Sequence, residues 1–309
     1  MKTYIVKRFI SMIITLWVIV TLTFFLMNAI PGSPFNEERA TSEAVQENLE
    51  SYYHLNEPLI VQYFMYIKSI VTFDFGPSIK QPSQTVNDLL GRGFPVSFEL
   101  GMVTLLVAVF SGIALGIVAA LRRNGIVDYL AMTIAVIGIS IPNFVMATLL
   151  IQKLAVDWAI LPAATWTSPK HMILPTLALA TVPMAIIARL TRASMIEVLT
   201  QDYIRTARAK GLSPYKIVFK HALRNALLPV VTVLGTIAAS VLTGTFVIEQ
   251  IFAIPGMGKY FVDSINTRDY PVIMGTTVFY SAILIFMLFL VDIAYGILDP
   301  RIKLHRKEG

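Results

Sequence analysis

The residues best suited to act on something else lie between Leu190 and Asn225. There Arg192, Arg205, Arg208, Lys210, Lys216, Lys220 and Arg224 stand against only Glu197 and Asp202. That composition suits docking and charge placement rather than bond making. Bond-making sets are missing elsewhere in the chain. There is no cysteine, which removes thiolate metal sites, disulfides and a cysteine nucleophile. His54, His171, His221 and His305 are far apart, and none pairs with another at metal-ligand spacing. No His-Glu-x-x-His, Gly-x-Ser-x-Gly or Gly-x-x-x-x-Gly-Lys-Ser/Thr pattern occurs, so neither a zinc protease, a serine hydrolase elbow nor a phosphate-cradling loop is encoded.

The basic segment predicts helix, break, helix. Asp202–Lys210 is rich in helix formers, and Gly211 stands where a left-handed C-terminal cap belongs. Ser213 and Pro214 follow as N-cap and first helical residue, and Lys216–Leu228 resumes the helix. A loop that merely fixes membrane orientation needs no such ordered break, so the pattern favours a docking element.

The elements that must carry this loop are membrane helices. The chain has 309 residues, 56% of them hydrophobic and 14% charged, where a soluble domain carries about 25% charged residues. Six stretches free of Asp, Glu, Lys and Arg approach or exceed the roughly 20 residues that cross a bilayer: 9–30, 100–121, 129–152, 172–188, 226–248 and 271–291. The fourth is the shortest and holds Pro175 and Pro183. The first exceeds a signal-peptide core and ends at Asn28-Ala29-Ile30-Pro31-Gly32 without a small-x-small cleavage site, so it reads as a retained anchor. The fold class is therefore all-α, a polytopic membrane protein with six transmembrane helices.

Placing both termini in the cytoplasm puts most of the 25 Lys and Arg inside and leaves an acidic first outer loop, residues 31–99. The net charge of +6 then reflects topology, and no nucleic-acid partner is implied. In that loop 35–53 reads as helical, and a second helix is expected from Asn56-Glu57-Pro58 through 59–71, with Tyr63, Phe64, Tyr66 and Phe73 at the membrane interface. Inside the bilayer the sequence offers almost no titratable group. Asp292, Glu99 and Lys153 all lie at span ends. A carrier or pump driven by ions needs such groups, so any transport must draw energy from a partner. Helix-disrupting and small polar residues mark candidate positions along a pathway: Pro142, Asn143, Pro183, Ser240, Thr243 and Gly244.

At the basic loop a resemblance becomes specific. Asp202-Tyr203-Ile204-Arg205-Thr206-Ala207-Arg208-Ala209-Lys210-Gly211-Leu212-Ser213 resembles the cytoplasmic "EAA" loop of ABC importer permeases. His221-Ala222-Leu223-Arg224-Asn225-Ala226-Leu227-Leu228-Pro229 resembles its continuation in the dipeptide/oligopeptide/nickel branch. Ala29–Pro34, Asp74-Phe75-Gly76-Pro77-Ser78 and Glu249–Gly258 agree in order, so the likeness runs end to end. Arg205-Thr206-Ala207 departs from the Glu-Ala-Ala of many importers.

The resemblance implies the type I ABC importer permease fold, most like the B-type subunit of an oligopeptide importer in a bacterial cell membrane. Dipeptides, nickel chelates or glutathione are alternative cargoes. It implies a single permease domain over 1–309 with an ATPase-coupling loop at 189–225. The coupling residues would be Arg205, Thr206, Ala207, Arg208, Lys210, Gly211, Ser213 and Pro214, with Thr206, Ala207 and Gly211 at the contact. A second homologous permease would complete a heterodimer. Two cytoplasmic ATPases would bind the ATP and magnesium, this chain holding no cofactor, and an extracytoplasmic binding protein would deliver peptide. A stand-alone channel or an intramembrane enzyme would need no such partners.

Overall fold

The computed structural model describes residues 2–29, 47–48, 51–243 and 245–298. In chain order the helices are α1 (Lys2–Ala29), α2 (Leu59–Thr72), α3 (Val86–Leu121), α4 (Ile126–Ser140) and α5 (Asn143–Leu150). There follow α6 (Lys170–Leu199), α7 (Asp202–Ala209), α8 (Pro214–Lys216), α9 (Leu228–Thr243), α10 (Phe246–Ile251), α11 (Met257–Thr267) and α12 (Tyr270–Leu298). Among the described residues the one extended pairing is a bridge between Pro77 and Thr85. The chain divides into two compact units, Met1–Ser97 with Ile254–Gly309, and Phe98–Ala253.

In the first unit α1 lies along α12. Phe9 meets Phe289 edge to face at 6.1 Å, and Arg8 pairs with Asp292 at 3.4 Å. Both charges are partly exposed, so the pair orients more than it stabilises. The expected outer-loop helix is present as α2. Of its four aromatics, Tyr63 and Tyr66 turn onto α1, with Tyr63 donating or accepting at Thr21 Oγ1 (2.8 Å) and Tyr66 stacked on Phe24 at 5.7 Å. Phe64 and Phe73 remain exposed, as an interfacial position requires. The expected helix at 35–53 lies largely outside the described residues.

Asp269 fixes the start of α12 to the outer loop. It is 3% exposed, accepts the Ser78 hydroxyl, and takes the Ile79 and Lys80 amides at 3.3 and 3.2 Å. Gly76, at φ +78°, lets the chain pass beneath Tyr52 and Tyr53, where a Cβ would sit 2.6 Å from both side chains. Burial pushes the Tyr53 phenol well above its ordinary value, and its hydroxyl stays a donor to the Pro77 carbonyl.

The second unit centres on α6, which runs 30 residues rather than the short span expected at 172–188. The apolar run stops at Arg189, but the helix continues to Leu199, and Arg192 on that continuation has a buried partner on α4. Pro175 and Pro183 are both inside the helix and buried. Neighbouring protein, rather than lipid, surrounds the backbone groups that proline leaves open. On α3, Gly112 and Gly116 meet α6 at backbone distance. A methyl at Gly116 would lie 2.5 Å from Thr191 Cβ and 2.7 Å from the Ala188 carbonyl oxygen. This is the small-x-x-x-small contact by which membrane helices gain dispersion energy.

The expected third crossing, 129–152, is not one straight helix. Ile126–Ser140 and Asn143–Asp157 meet at a 109° bend. Each half is about 22 Å long, short of the roughly 30 Å hydrocarbon core. The cause is local. Ile141 takes the extended conformation favoured before proline (φ −92°, ψ 121°), and Pro142 has no amide to continue the ladder. By length and composition the described residues thus hold five spanning helices, or six if the bent pair counts as one.

Overpacking at the α3–α6 contact has a specific consequence. Gly116→Leu should lower the midpoint of thermal unfolding in detergent, equivalent to about 3 kcal/mol, whereas Gly91→Leu, where a Cβ meets nothing within 4 Å, should leave it unchanged. Equal midpoints for the two variants would refute the close contact.

Candidate functional site

The basic segment folds as helix, break, helix. Its first helix, α7, begins at Asp202, whose negative charge suits the N-terminal end of the dipole. Its periodicity divides the faces. Ile204 (0% exposed) and Ala207 (6%) point inward, whereas Arg205, Thr206, Arg208 and Lys210 are exposed. The inner face joins Ile217, Val218, Ala222 and Ala226, Met195 of α6 and Ile117 of α3 in one cluster. The loop is therefore packed onto the ends of two spanning helices rather than tethered by flexible chain.

The break follows the sequence pattern with one exception. Gly211 has φ +73°, and its amide donates to the Arg208 carbonyl at 2.9 Å while Leu212 donates back to Ala207 at 3.3 Å. Ser213 holds the extended N-cap conformation and Pro214 the first helical position, but the Ser213 side chain makes no capping bond. The second helix does not continue regularly. It widens into a π-helical stretch over Ile217–Ala222 before Leu223–Ala226. Such widenings are rare and concentrate where a helix must offset its register. Here the offset turns Ile217, Val218 and Ala222 onto the same core.

Outside, the rings of Tyr215 and Phe219 meet at 4.6 Å, tilted by 37°, and both are exposed, beside Lys216 and Lys220. Arg205 pairs loosely with Asp202 at 3.4 Å, with both side chains mostly in solvent, so the pair adds little. The outward surface is a basic, aromatic-bearing ridge on a fixed base. Ala207 is not part of that surface. Of the three residues expected at a contact, only Thr206 and Gly211 present atoms outward, because Ala207 packs beneath them.

The described pathway candidates fall in the same unit. Pro142 and Asn143 form the bend of the third span, where the Thr181 hydroxyl of α6 reaches Asn143 Oδ1 at 3.4 Å. Pro183 is buried inside α6. Ser240 is exposed on α9, and the Thr243 hydroxyl is spent on the Ala239 carbonyl at 2.8 Å. Gly244 lies outside the described residues.

Two acids escape a reading based on apolar runs. Glu249 is fully buried in the continuation of the fifth span, accepting the Thr245 hydroxyl at 2.5 Å. Asp128 is 2% exposed in the first turn of α4 and takes a two-pronged contact from Arg192 at 2.5 and 2.6 Å. The signal for Asp128 was an acid opening a span beside Arg122 and Arg123, on a side otherwise rich in bases. Among the described residues no group of three or more metal-ligating side chains could hold an ion.

Two family models match the chain. One describes a binding-protein-dependent transport system inner membrane component and covers residues 112–304; the other describes the N-terminal part of such membrane components and covers residues 1–100. The chain is 74% identical over 307 residues to the dipeptide transport system permease protein DppB of Bacillus subtilis, covering 99% of this chain and 100% of that one. It is 45% identical to the oligopeptide transport system permease protein OppB of Haemophilus influenzae, covering 98% and 100%. Among solved structures, an inward-facing form of the MetNI methionine ABC transporter aligns with a TM-score of 0.56 at 20% identity, covering 68% of this chain and 96% of that one. That likeness is of fold, the fold of type I ABC importer permeases.

The left-handed turn at position 211 can be tested directly. A Cβ there meets nothing within 4 Å, so the whole cost of substitution is backbone strain, about 1–2 kcal/mol for a branched residue. Gly211→Val should speed hydrogen exchange at the amides of 208–214, and Gly211→Asn, which tolerates this conformation, should not. Identical exchange in both variants would place Gly211 elsewhere in conformational space.

Proposed function

The chain belongs to the family of binding-protein-dependent transport system inner-membrane permeases, and from that premise we propose that it is the B-type permease subunit of an ATP-driven peptide importer. The observation that carries this reading is the exposed basic ridge of α7 and α8 on a base shared with α6 and α3. A rigid lever of that kind transmits a push, where a flexible loop would absorb it. Two cytoplasmic ATPases dock on such ridges, one on this chain and one on a second, homologous permease, and they alone bind ATP and magnesium. An extracytoplasmic binding protein delivers the peptide.

The substrate is a short peptide. Similarity to the Bacillus dipeptide permease at 74% supports dipeptides, and similarity to oligopeptide permeases at 43–45% supports longer chains. No histidine cluster favours a bare metal ion. Uptake of labelled di-, tetra- and pentapeptides should be lost from cells deleted for this chain and return on complementation. Peptide flux through the purified chain alone in liposomes, without any ATPase, would overturn the reading in favour of a channel.

The bend in the third span decides topology. With the N-terminus in the cytoplasm, a bent pair that crosses leaves the C-terminus there too and turns the basic ridge to the ATPases. If it re-enters, the ridge faces outward. We infer that it crosses, because only then do the basic residues of 189–225 lie inside while the acidic loop 31–99 stays outside. The cysteine-free sequence permits a clean test. Thr167→Cys should react with a membrane-impermeant maleimide on intact spheroplasts, and Thr206→Cys only after permeabilisation. The reverse pattern would refute the crossing.

A further inference from the structure

α6 ends only two residues before α7, so whatever displaces the basic ridge displaces α6 first. Three attachments then determine where that displacement goes. One turn before the loop, Met195 is fully buried in the cluster that anchors α7 and α8. Thr191 rests against Gly116 of α3. Between them, Arg192 reaches α4, and this is the polar attachment of the three.

Its geometry is unusually complete. Arg192 Nε donates to Asp128 Oδ1 at 2.5 Å and a terminal nitrogen donates to Oδ2 at 2.6 Å. Oδ2 also accepts the amide of Asn124 at 2.9 Å, a residue at φ +60° in the turn between α3 and α4. One carboxylate therefore ties the α3–α4 turn, the first turn of α4, and α6. The remaining arginine surface is partly open, with the side chain 27% exposed against 3% for the aspartate.

Stability does not explain such a pair. The desolvation of a buried ion pair offsets most of its attraction, and apolar replacements of equal volume are often no worse. What a planar two-pronged contact supplies is direction. It fixes both distance and angle, which apolar packing alone leaves adjustable. Beyond α4 lies the 109° bend at Ile141–Pro142, where a spanning segment is already divided.

We infer that Asp128 and Arg192 form a latch that passes displacement of the basic ridge through α6 to the bent α4–α5 pair, and so are positioning residues for transport rather than contacts for ATPase or peptide. The inference rests on the chain being the permease of an ATP-driven peptide importer. Displacement of α6 moves the base of α4 because the two-pronged contact resists both stretch and rotation. The bend lets the α4–α5 pair change angle without unfolding either half.

The test uses the full complex with its partner permease, ATPases and binding protein in proteoliposomes, and reads peptide imported per ATP hydrolysed. Asp128→Asn and Arg192→Lys should assemble and hydrolyse ATP as the native complex does, while import per ATP falls about tenfold, the scale at which coupling residues act. Arg192→Lys keeps the charge and loses the fork, so it isolates direction from charge and serves if Asp128→Asn fails to assemble. In a complex whose only cysteines are D128C and R192C, import should be lost and should return when a short thiol-to-thiol linker joins the two positions. Native import per ATP in Arg192→Lys, or import still absent once the linker is fully attached, would overturn the latch. A native complex that hydrolyses ATP without importing peptide would instead overturn the functional reading.

Discussion

The second unit depends on how closely α6 is gripped. Gly112 and Gly116 let α3 approach to backbone contact, where the Ala188 carbonyl and Thr191 side chain leave no room for a methyl. In a bilayer there is no hydrophobic drive to bring two apolar helices together, since lipid is as apolar as the helix. Packing contact and polar attachment must do it. α6 has both, the glycine seam on one side and the Asp128 carboxylate on another. Because of that grip it can carry two internal prolines and the partly buried Arg192 without ceasing to be a spanning helix.

The basic loop inherits its rigidity from the same grip. Ile204, Ala207, Ile217 and Ala222 are buried against Met195 and Ile117, so the ridge moves with the helices beneath it. The π-helical stretch at Ile217–Ala222 is the local adjustment that lets a second short helix face the same core after the turn at Gly211. The first unit solves a different problem, seating an outer loop on the start of α12. There one buried carboxylate, Asp269, satisfies two backbone amides and a hydroxyl that the loop would otherwise leave open.

The ridge was legible largely because it is written locally. The cap at Gly211, the proline at 214 and the basic residues between them are neighbours in the chain, and their conformations follow from residue type. Glu249 and Asp128 were not legible, for a shared reason. Each adjoins an apolar run, and an acid at the edge of a run looks solvated until the fold shows what covers it. The burial of Ala207 was not legible either, because sequence similarity marks a position without saying which way it faces.

The sequence by itself determined that the chain is a series of membrane helices with one ordered basic loop, because apolar length and turn chemistry are local properties. It also marked Pro142 as a helix-disrupting position within the third span, though not that the span breaks there, since Pro175 and Pro183 lack the same amide and α6 runs through both. Only the tertiary structure decided the angle of that break, the continuation of α6 past Arg189, and the partner of Arg192. Asp128 and Arg192 are 64 positions apart, and a charge that ends a span in isolation extends one when its counter-charge is buried beside it.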